Sequence, residues 1–373
     1  MELLNAIKKI PLLRPNALPI ADNIGIICFE SAFASITKGL LDYAQAIFVI
    51  DANDQQLCVI EKQIYEQQKR KIQVLPLSEI SSRIDLVFVF FHHNSESKAL
   101  FWCHNYMRKF DYESFCTFMP YPDQLGASTI YMPDFYKNNQ EYLEKVYCML
   151  HDDESKIIFA SRIRAITSGK VGYLHISNFE QYFHPAVQPE YGDIIIDGGI
   201  SANVSSQIKF INKIGNKGKW FGFEPDPIGF VSAYDNIKQS VSYNNFRLID
   251  CGLWSKRDKI CFDSHGDSST CITKNFNTIQ IDVISIDEFV ASNYLNNIDY
   301  IKLDVEGVEF DVLKGATRTI KEFRPKLAIS LYHNIDDIFK LPLFLNEICD
   351  NYNFHIGHHC AGLHETILYA NPI

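Results

Sequence analysis

The chain lacks several features that would settle its class at once. Its ten cysteines include no C-x-x-C pair, so neither a zinc ribbon nor a disulfide framework is suggested, and a reducing cytoplasm is the expected setting. No apolar run is long enough to span a bilayer. The opening MELLNAIKKIPLLRPNALPI lacks the basic-then-apolar order and the small-residue cleavage site of a signal peptide, and it reads as a domain-packing arm. There is no Lys/Arg block, and the formal charge is -10, which argues against a dedicated nucleic-acid binder. Neither half shows G-x-G-x-x-G after its first strand, which counts against a dinucleotide-dependent oxidoreductase. Internal repeats and low-complexity tracts are also missing.

What remains is an ordinary globular composition, 47% hydrophobic and 21% charged over 373 residues, enough for two domains with sizeable cores. From Asn23 to Pro120 strand-like and helix-like segments alternate. Ile24–Phe29, Ala46–Ile50, Ile72–Leu75, Leu86–Phe91 and Phe115–Met119 read as strands, with Ser31–Tyr43, Gln56–Arg70 and Ser95–Lys109 as surface helices between them. That alternation predicts a Rossmann-like α/β domain over residues 1–125. Its first turn, FESAFAS, holds no glycine, so despite Asp51 at the second strand's end it reads as a scaffold or substrate-recognition domain. Residues 126–190 are expected to form a helical linker and lid. Asn138–Ser168 is helical with an interruption at Asp152–Glu154, and the aromatic, proline-bearing Gly169–Pro189 lies over the C-terminal sheet.

Residues 191–373 carry the chemistry. In Gly192–Pro227 a β-branched run, Asp193–Asp197, meets Gly198 and Gly199; helical spacing follows, and then a second apolar run, Trp220–Phe223, ends on Glu224. A tight turn opening a helix presents free N–H groups, and an acid at the next strand's tip can accept from ribose hydroxyls, as an adenosine-containing ligand requires. Ile298–Asp304 and Lys326–Tyr332 are further buried strands; Val308–Ile320 reads as one helix, and Ile335–Asp350 as a helix interrupted or kinked near Pro342. Phe354–His358 and Glu365–Ala370 suit a closing hairpin. Ligands of open α/β sheets collect at the strands' carboxyl ends. There IKLDVEGVE delivers Lys302, Asp304, Glu306 and Glu309, and SLYHN delivers His333.

The pieces IIIDGG, FEPDP, IDYIKLDVEGVEFDVLKGA, ISLYHN and HETILYA together resemble the FkbM family of S-adenosylmethionine-dependent methyltransferases, over roughly Gly192–Ala370. The resemblance implies a class I methyltransferase domain, Rossmann-like with a mostly parallel seven-stranded sheet. It places S-adenosylmethionine across Asp197, Gly198, Gly199, Ser201, Asn203 and Glu224, with Cys251 near the adenine and Asp304 where sulfonium and acceptor meet. The family usually has glycine where this chain has Asn203, a residue that tolerates left-handed backbone.

Methyl transfer to oxygen needs proximity and a group to take the hydroxyl proton. His333 is the best base on intrinsic pKa, with Asp304 or Glu306 serving instead or orienting it. Acids before a helix also act as caps, which is the stronger reading for Glu309. No metal is expected: His358 and His359 in HIGHHCAGLHET point to opposite faces of a strand, and His92-His93 meets the same objection. The expected enzyme O-methylates a sugar, glycan precursor or small metabolite; the alternative is a non-catalytic methyltransferase-fold binding or assembly protein. Acceptor identity and oligomeric state are not written in the sequence.

Overall fold

The computed structural model describes residues 2–11, 24–29, 44–50, 52–68, 71–79, 86–90, 116–118, 134–168, 173–200, 204–263, 278–360 and 363–373. The helices expected at Ser31–Tyr43 and Ser95–Lys109, and Asp51, His92, His93, Ser201 and Asn203, lie outside the described residues. The chain divides into two compact units: Met1–Gln140 with Phe159–His175 and Cys360–His364, and Glu141–Ile158 with Ile176–His359 and Glu365–Ile373. Among the described residues no helix is long and apolar enough to cross a membrane.

The first unit holds α1 (Glu2–Lys9), β1 (Ile24–Phe29), β2 (Ala44–Ile50), α2 (Asp54–Gln68), β3 (Gln73–Pro76), β4 (Leu86–Phe90) and β5 (Cys116–Phe118). Its sheet runs β3-β2-β1-β4-β5 with every pairing parallel, and a parallel sheet is what the βα alternation predicts. Ile26, Ile27, Ile47, Phe48 and Val49 are buried at successive positions, because a parallel sheet has no solvent face. Asn53 and Gln56 exchange side chain-to-backbone hydrogen bonds and so start α2 one turn before its apolar pattern shows.

Helices α3 (Phe135–Met149) and α4 (Asp153–Ser168) follow. The interruption between them is capped by Asp152, which accepts from the Ser155 N–H at 2.7 Å and hydroxyl at 2.8 Å.

The second unit contains β6 (Ile194–Gly198), α5 (Ser205–Ile214), β7 (Lys219–Phe223), α6 (Pro227–Ser240), β8 (Phe246–Ile249), β9 (Gly252–Leu253), β10 (Asp258–Asp263), β11 (Thr278–Ile284), α7 (Ile286–Ser292), β12 (Tyr300–Leu303), α8 (Glu309–Lys314), α9 (Thr317–Phe323), β13 (Lys326–Ser330), α10 (Asp337–Ile348), β14 (Tyr352–His358) and β15 (Thr366–Pro372). The main sheet runs β14-β15-β13-β12-β6-β7-β8. All neighbours are parallel except β15, which is antiparallel to both β13 and β14. This is the seven-stranded class I methyltransferase sheet with the closing hairpin read from the sequence. Strands β10 and β11 leave it to form a separate three-stranded sheet with β9.

One expected helix is two. The run Val308–Ile320 breaks at Gly315 and Ala316 because Asp287, at the start of α7, occupies the break. Its N–H donates to the Gly315 carbonyl at 2.8 Å, and its carboxylate accepts the Arg318 and Thr319 amides at 3.0 and 2.8 Å. The first turn of α9 is thereby capped from another helix. By contrast, α10 runs through Pro342 without the expected interruption.

Candidate active site

The glycine turn at the end of β6 is stitched to both neighbouring strands. The Gly199 N–H donates to the Phe223 carbonyl at 3.2 Å, and the Asp304 N–H donates to the Gly198 carbonyl at 3.1 Å. Gly199 has φ +79, and a Cβ there would lie 1.7 Å from the Asp304 carbonyl oxygen. Only glycine meets both conditions. Beneath the turn, the ammonium of Lys302 donates to the carbonyls of Gly198 at 3.0 Å and Gly199 at 2.5 Å, and pairs with Asp197 at 3.2 Å. Asp197 also accepts from Gln207 and Trp220, each at 3.2 Å. Burial pushes its carboxyl up against the pull of Lys302. Asp197 therefore faces inward and holds the turn, Gly198 is buried beside Leu253, Leu303 and Val305, and Gly199 is the partly exposed glycine of the turn.

Glu224, after β7, accepts the Ile200 N–H at 3.2 Å and the Asp226 N–H at 2.8 Å. Each carboxylate oxygen thus keeps acceptor capacity for another donor. Burial raises its pKa to about 7, against the lowering effect of those backbone donors. Cys251 follows β8, partly exposed; burial pushes the thiol up to about 11, so it stays neutral.

A second group gathers at the ends of β12 and β13. Asp304, its side chain 21% exposed, receives three hydroxyl donors: Tyr182 at 2.7 Å on Oδ2, and Ser330 and Tyr332 at 2.8 Å each on Oδ1. Burial alone would raise this carboxyl, but Lys302, His333 and the hydroxyls outweigh it and hold the pKa down at about 2. Tyr182 is itself an outlier, an aromatic residue at φ 68. Its N–H donates to the Tyr369 hydroxyl at 2.9 Å and its carbonyl accepts from the Tyr300 hydroxyl at 2.8 Å, so packing fixes a conformation the backbone resists.

His333 is almost wholly enclosed by carboxylates. Nδ1 lies 2.8 Å from Glu309 Oε1; Nε2 lies 3.4 Å from Glu306 Oε2 and 3.6 Å from Asp304 Oδ1. Burial favours the neutral ring, yet Glu309 and Glu306 outweigh it and hold the pKa well above the usual histidine range. These carboxylates favour the protonated ring, which weighs against choosing His333 as the base on intrinsic pKa alone. Glu306 adopts φ 54, followed by Gly307 at φ 95, and burial raises its carboxyl despite His333. Glu309, fully buried, accepts the Val305 N–H at 2.9 Å, bracing the loop as well as the histidine.

The residues the sequence brought to the sheet edge thus fall into three sets. Gly199 and Glu224 stand on one side, and Asp304, Glu306 and His333 on the other; Asp197, Gly198 and Lys302 lie inside. Tyr182, Ser330 and Tyr332 were not singled out from the sequence. Ser330 and Tyr332 carry a readable signal, since they alternate with Leu331 and share a strand-end face.

The histidines of the last hairpin are dispersed. His358 bonds Thr366 at 2.8 Å, His359 bonds Tyr369 at 3.0 Å, and His355 Nδ1 bonds Asp152. Among the described residues two groups bring three ligand atoms within 4.8 Å of one another: Asp152, His184 and His355, and Asp304, Glu309 and His333.

Residues 197–356 match the family described as the methyltransferase FkbM domain, the family read from IKLDVEGVE and its companion motifs. Among solved structures, methyltransferase FkbM from Methylobacillus flagellatus KT is similar along 99% of this chain and 98% of its own, with a TM-score of 0.66 and 17% identity. At that identity the likeness establishes the fold. A putative rRNA methylase from Clostridium thermocellum shares 9% identity over 50% of this chain and 89% of its own, with a TM-score of 0.34. Aeropyrum pernix fibrillarin, in complex with natively bound S-adenosyl-L-methionine, shares 13% over 48% of this chain and 67% of its own, with a TM-score of 0.31. Neither is close enough to carry an argument. No curated protein matches the chain.

Proposed function

We propose that this protein, whose residues 197–356 form a methyltransferase domain of the FkbM family, uses S-adenosylmethionine to methylate a hydroxyl oxygen of a sugar, glycan precursor or other small metabolite. The observation that carries the reading is the contact between Gly199 and Asp304. It joins the glycine turn and the carboxylate cluster into one surface at the carboxyl ends of β6 and β12.

The residues present fit the cofactor. A side chain at Gly199 would fill the approach to the turn, and Glu224 keeps an open acceptor site on each oxygen for the two ribose hydroxyls. When bound, S-adenosylmethionine supplies an electrophilic methyl on a sulfonium. The protein's task is then to hold an acceptor oxygen in line and to let its proton leave. Asp304, ionised and clamped by three hydroxyls, places fixed negative charge beside the turn, where a sulfonium or amino group is stabilised. It is too acidic to serve as a base near neutrality. Glu306 is the carboxyl in the cluster pushed upward and is 29% exposed, so the acceptor's proton leaves on its side.

Calorimetric titration with S-adenosylhomocysteine tests the cofactor half, and absence of binding by folded protein rejects it. Asp304→Asn tests the other half: turnover should collapse, and a variant with undiminished turnover would remove Asp304 from the reaction.

A further inference from the structure

We propose that Asp152, His184 and His355 form a binding site for a divalent ion of the zinc class, which fastens the segment carrying Tyr182 to the sheet. All three belong to the second unit, and each offers a donor atom within 4.8 Å of the other two. Donors that share an ion at about 2.1 Å stand at most about 4.2 Å apart, so little movement closes the set. Each residue is held in place by its own element. Asp152 caps α4 through Ser155. His355 lies within β14, paired with Tyr369 of β15, and its side chain is only 6% exposed. His184 forms a bridge with Val187; its ring stacks on Tyr369 at 5.1 Å and lies 4.5 Å from that of His355 between centroids.

The lone pairs are there to be used. His355 bonds Asp152 through Nδ1. A carboxylate in that position takes the Nδ1 proton and leaves the lone pair on Nε2, as it does for metal-binding histidines. Nδ1 of His184 accepts the Ala186 N–H at 3.1 Å, which an unprotonated nitrogen does, and burial pushes this ring's pKa down to about 4. Both favour the neutral ring. An ion on either nitrogen of His184 displaces that one bond, and Ala186 is exposed, so water can serve its N–H. A carboxylate has roughly four acceptor positions, and Asp152 spends three of them, on the Ser155 N–H, the Ser155 hydroxyl and His355. One remains. Asp152 is 34% exposed, which leaves the ion a position open to water. Two imidazoles with one carboxylate suit zinc, cobalt or ferrous iron better than calcium or magnesium.

His355 belongs to HIGHHCAGLHET, but the partners it needs come from far upstream rather than from that run. The ion would tie the α3–α4 junction and β14 to a position two residues from Tyr182. That tyrosine holds φ 68, and its hydroxyl donates to Asp304 at 2.7 Å. Occupancy thus steadies one of the three hydroxyls on Asp304. This consequence rests on the methyl-transfer reading; the ion site does not.

The full chain, stripped with a chelator, is titrated with Co2+ by visible absorption and with S-adenosylhomocysteine by calorimetry. Saturable Co2+ binding that Zn2+ displaces is expected. His184→Phe keeps the ring stack and removes the donor, and should weaken binding by more than the roughly 10–100-fold that changes around a ligand cost. Asp152→Asn should also weaken it, whereas His333→Gln, in the other cluster, should leave it unchanged. Circular dichroism checks that each variant is folded. Wild-type protein that binds no Co2+ at millimolar concentration overturns the proposal, as does Co2+ binding indifferent to His184→Phe or lost with His333→Gln. Co2+ binding without S-adenosylhomocysteine binding upholds the ion site and rejects the methyl-transfer reading instead.

Discussion

Replacing Lys302 with Met tests what supports the glycine turn. Lys302 is 2% exposed and Asp197 0%, so the substitution leaves a buried carboxylate with only the Gln207 and Trp220 donors, each at 3.2 Å. Removing one partner of a buried ion pair costs about 3–5 kcal/mol. Protonation sets a ceiling on that cost. A carboxyl with an unfolded pKa near 3.9 that folds neutral costs about 1.4 kcal/mol per pH unit above that value, roughly 4 kcal/mol at pH 7 and roughly 1.5 kcal/mol at pH 5. The wild-type carboxyl is itself pushed up by burial, so these are upper bounds on the difference. The sign follows from the raised folded pKa: stability is fully present below the unfolded value and lost as pH rises through the folded one. The deficit of the variant should therefore widen from pH 5 to pH 7. Urea unfolding followed by tryptophan fluorescence, to which Trp220 beside Asp197 contributes, measures it. Adding Asp197→Leu should restore most of the loss, since an apolar pair replaces a buried ion pair at little cost. A Lys302→Met protein as stable as wild type at pH 7, a deficit unchanged by pH, or a double variant no better than the single would refute the reasoning.

Gly199→Ala should lower the melting temperature and weaken S-adenosylhomocysteine binding, because left-handed backbone costs a residue with a Cβ about 1–2 kcal/mol and that Cβ would meet the Asp304 carbonyl at 1.7 Å; calorimetry and thermal melts read both. With the Glu224 carboxyl raised to about 7 and the carboxylate as the form that accepts from both ribose hydroxyls, affinity for S-adenosylhomocysteine should fall about tenfold from pH 8 to pH 6, and Glu224→Gln should flatten that dependence in the same titration. Ser285→Ala removes the cap on α7, where the hydroxyl accepts the Glu288 N–H at 3.2 Å; a loss of about 1 kcal/mol in urea denaturation is expected.

The strands that position the site were legible because burial on both faces writes them as unbroken apolar runs. Ile195 and Ile196 in β6, and Tyr300, Ile301 and Leu303 in β12, are all fully buried. What the sequence could not show is set by partners far along the chain. Tyr182 reaches Asp304 across 122 positions from a segment with no period. The break between α8 and α9 depends on Asp287, which lies in α7. Strand β9, with two residues, is shorter than any periodicity can register.

The charged residues were the hardest to read, and the reason is physical. Position on a strand end says that Asp197, Lys302, Asp304 and His333 are near one another; it does not say which pairs form. Lys302 pairs with Asp197 beneath the turn and at the same time helps hold the Asp304 carboxyl ionised. Glu306 and Glu309, each readable alone as a helix-start acid, then converge on His333 from two sides. The same histidine that intrinsic pKa marks as a neutral base is pushed by these carboxylates toward its charged form. The function of each residue at this edge is decided by how the ion pairs are distributed, and that distribution is a property of the fold.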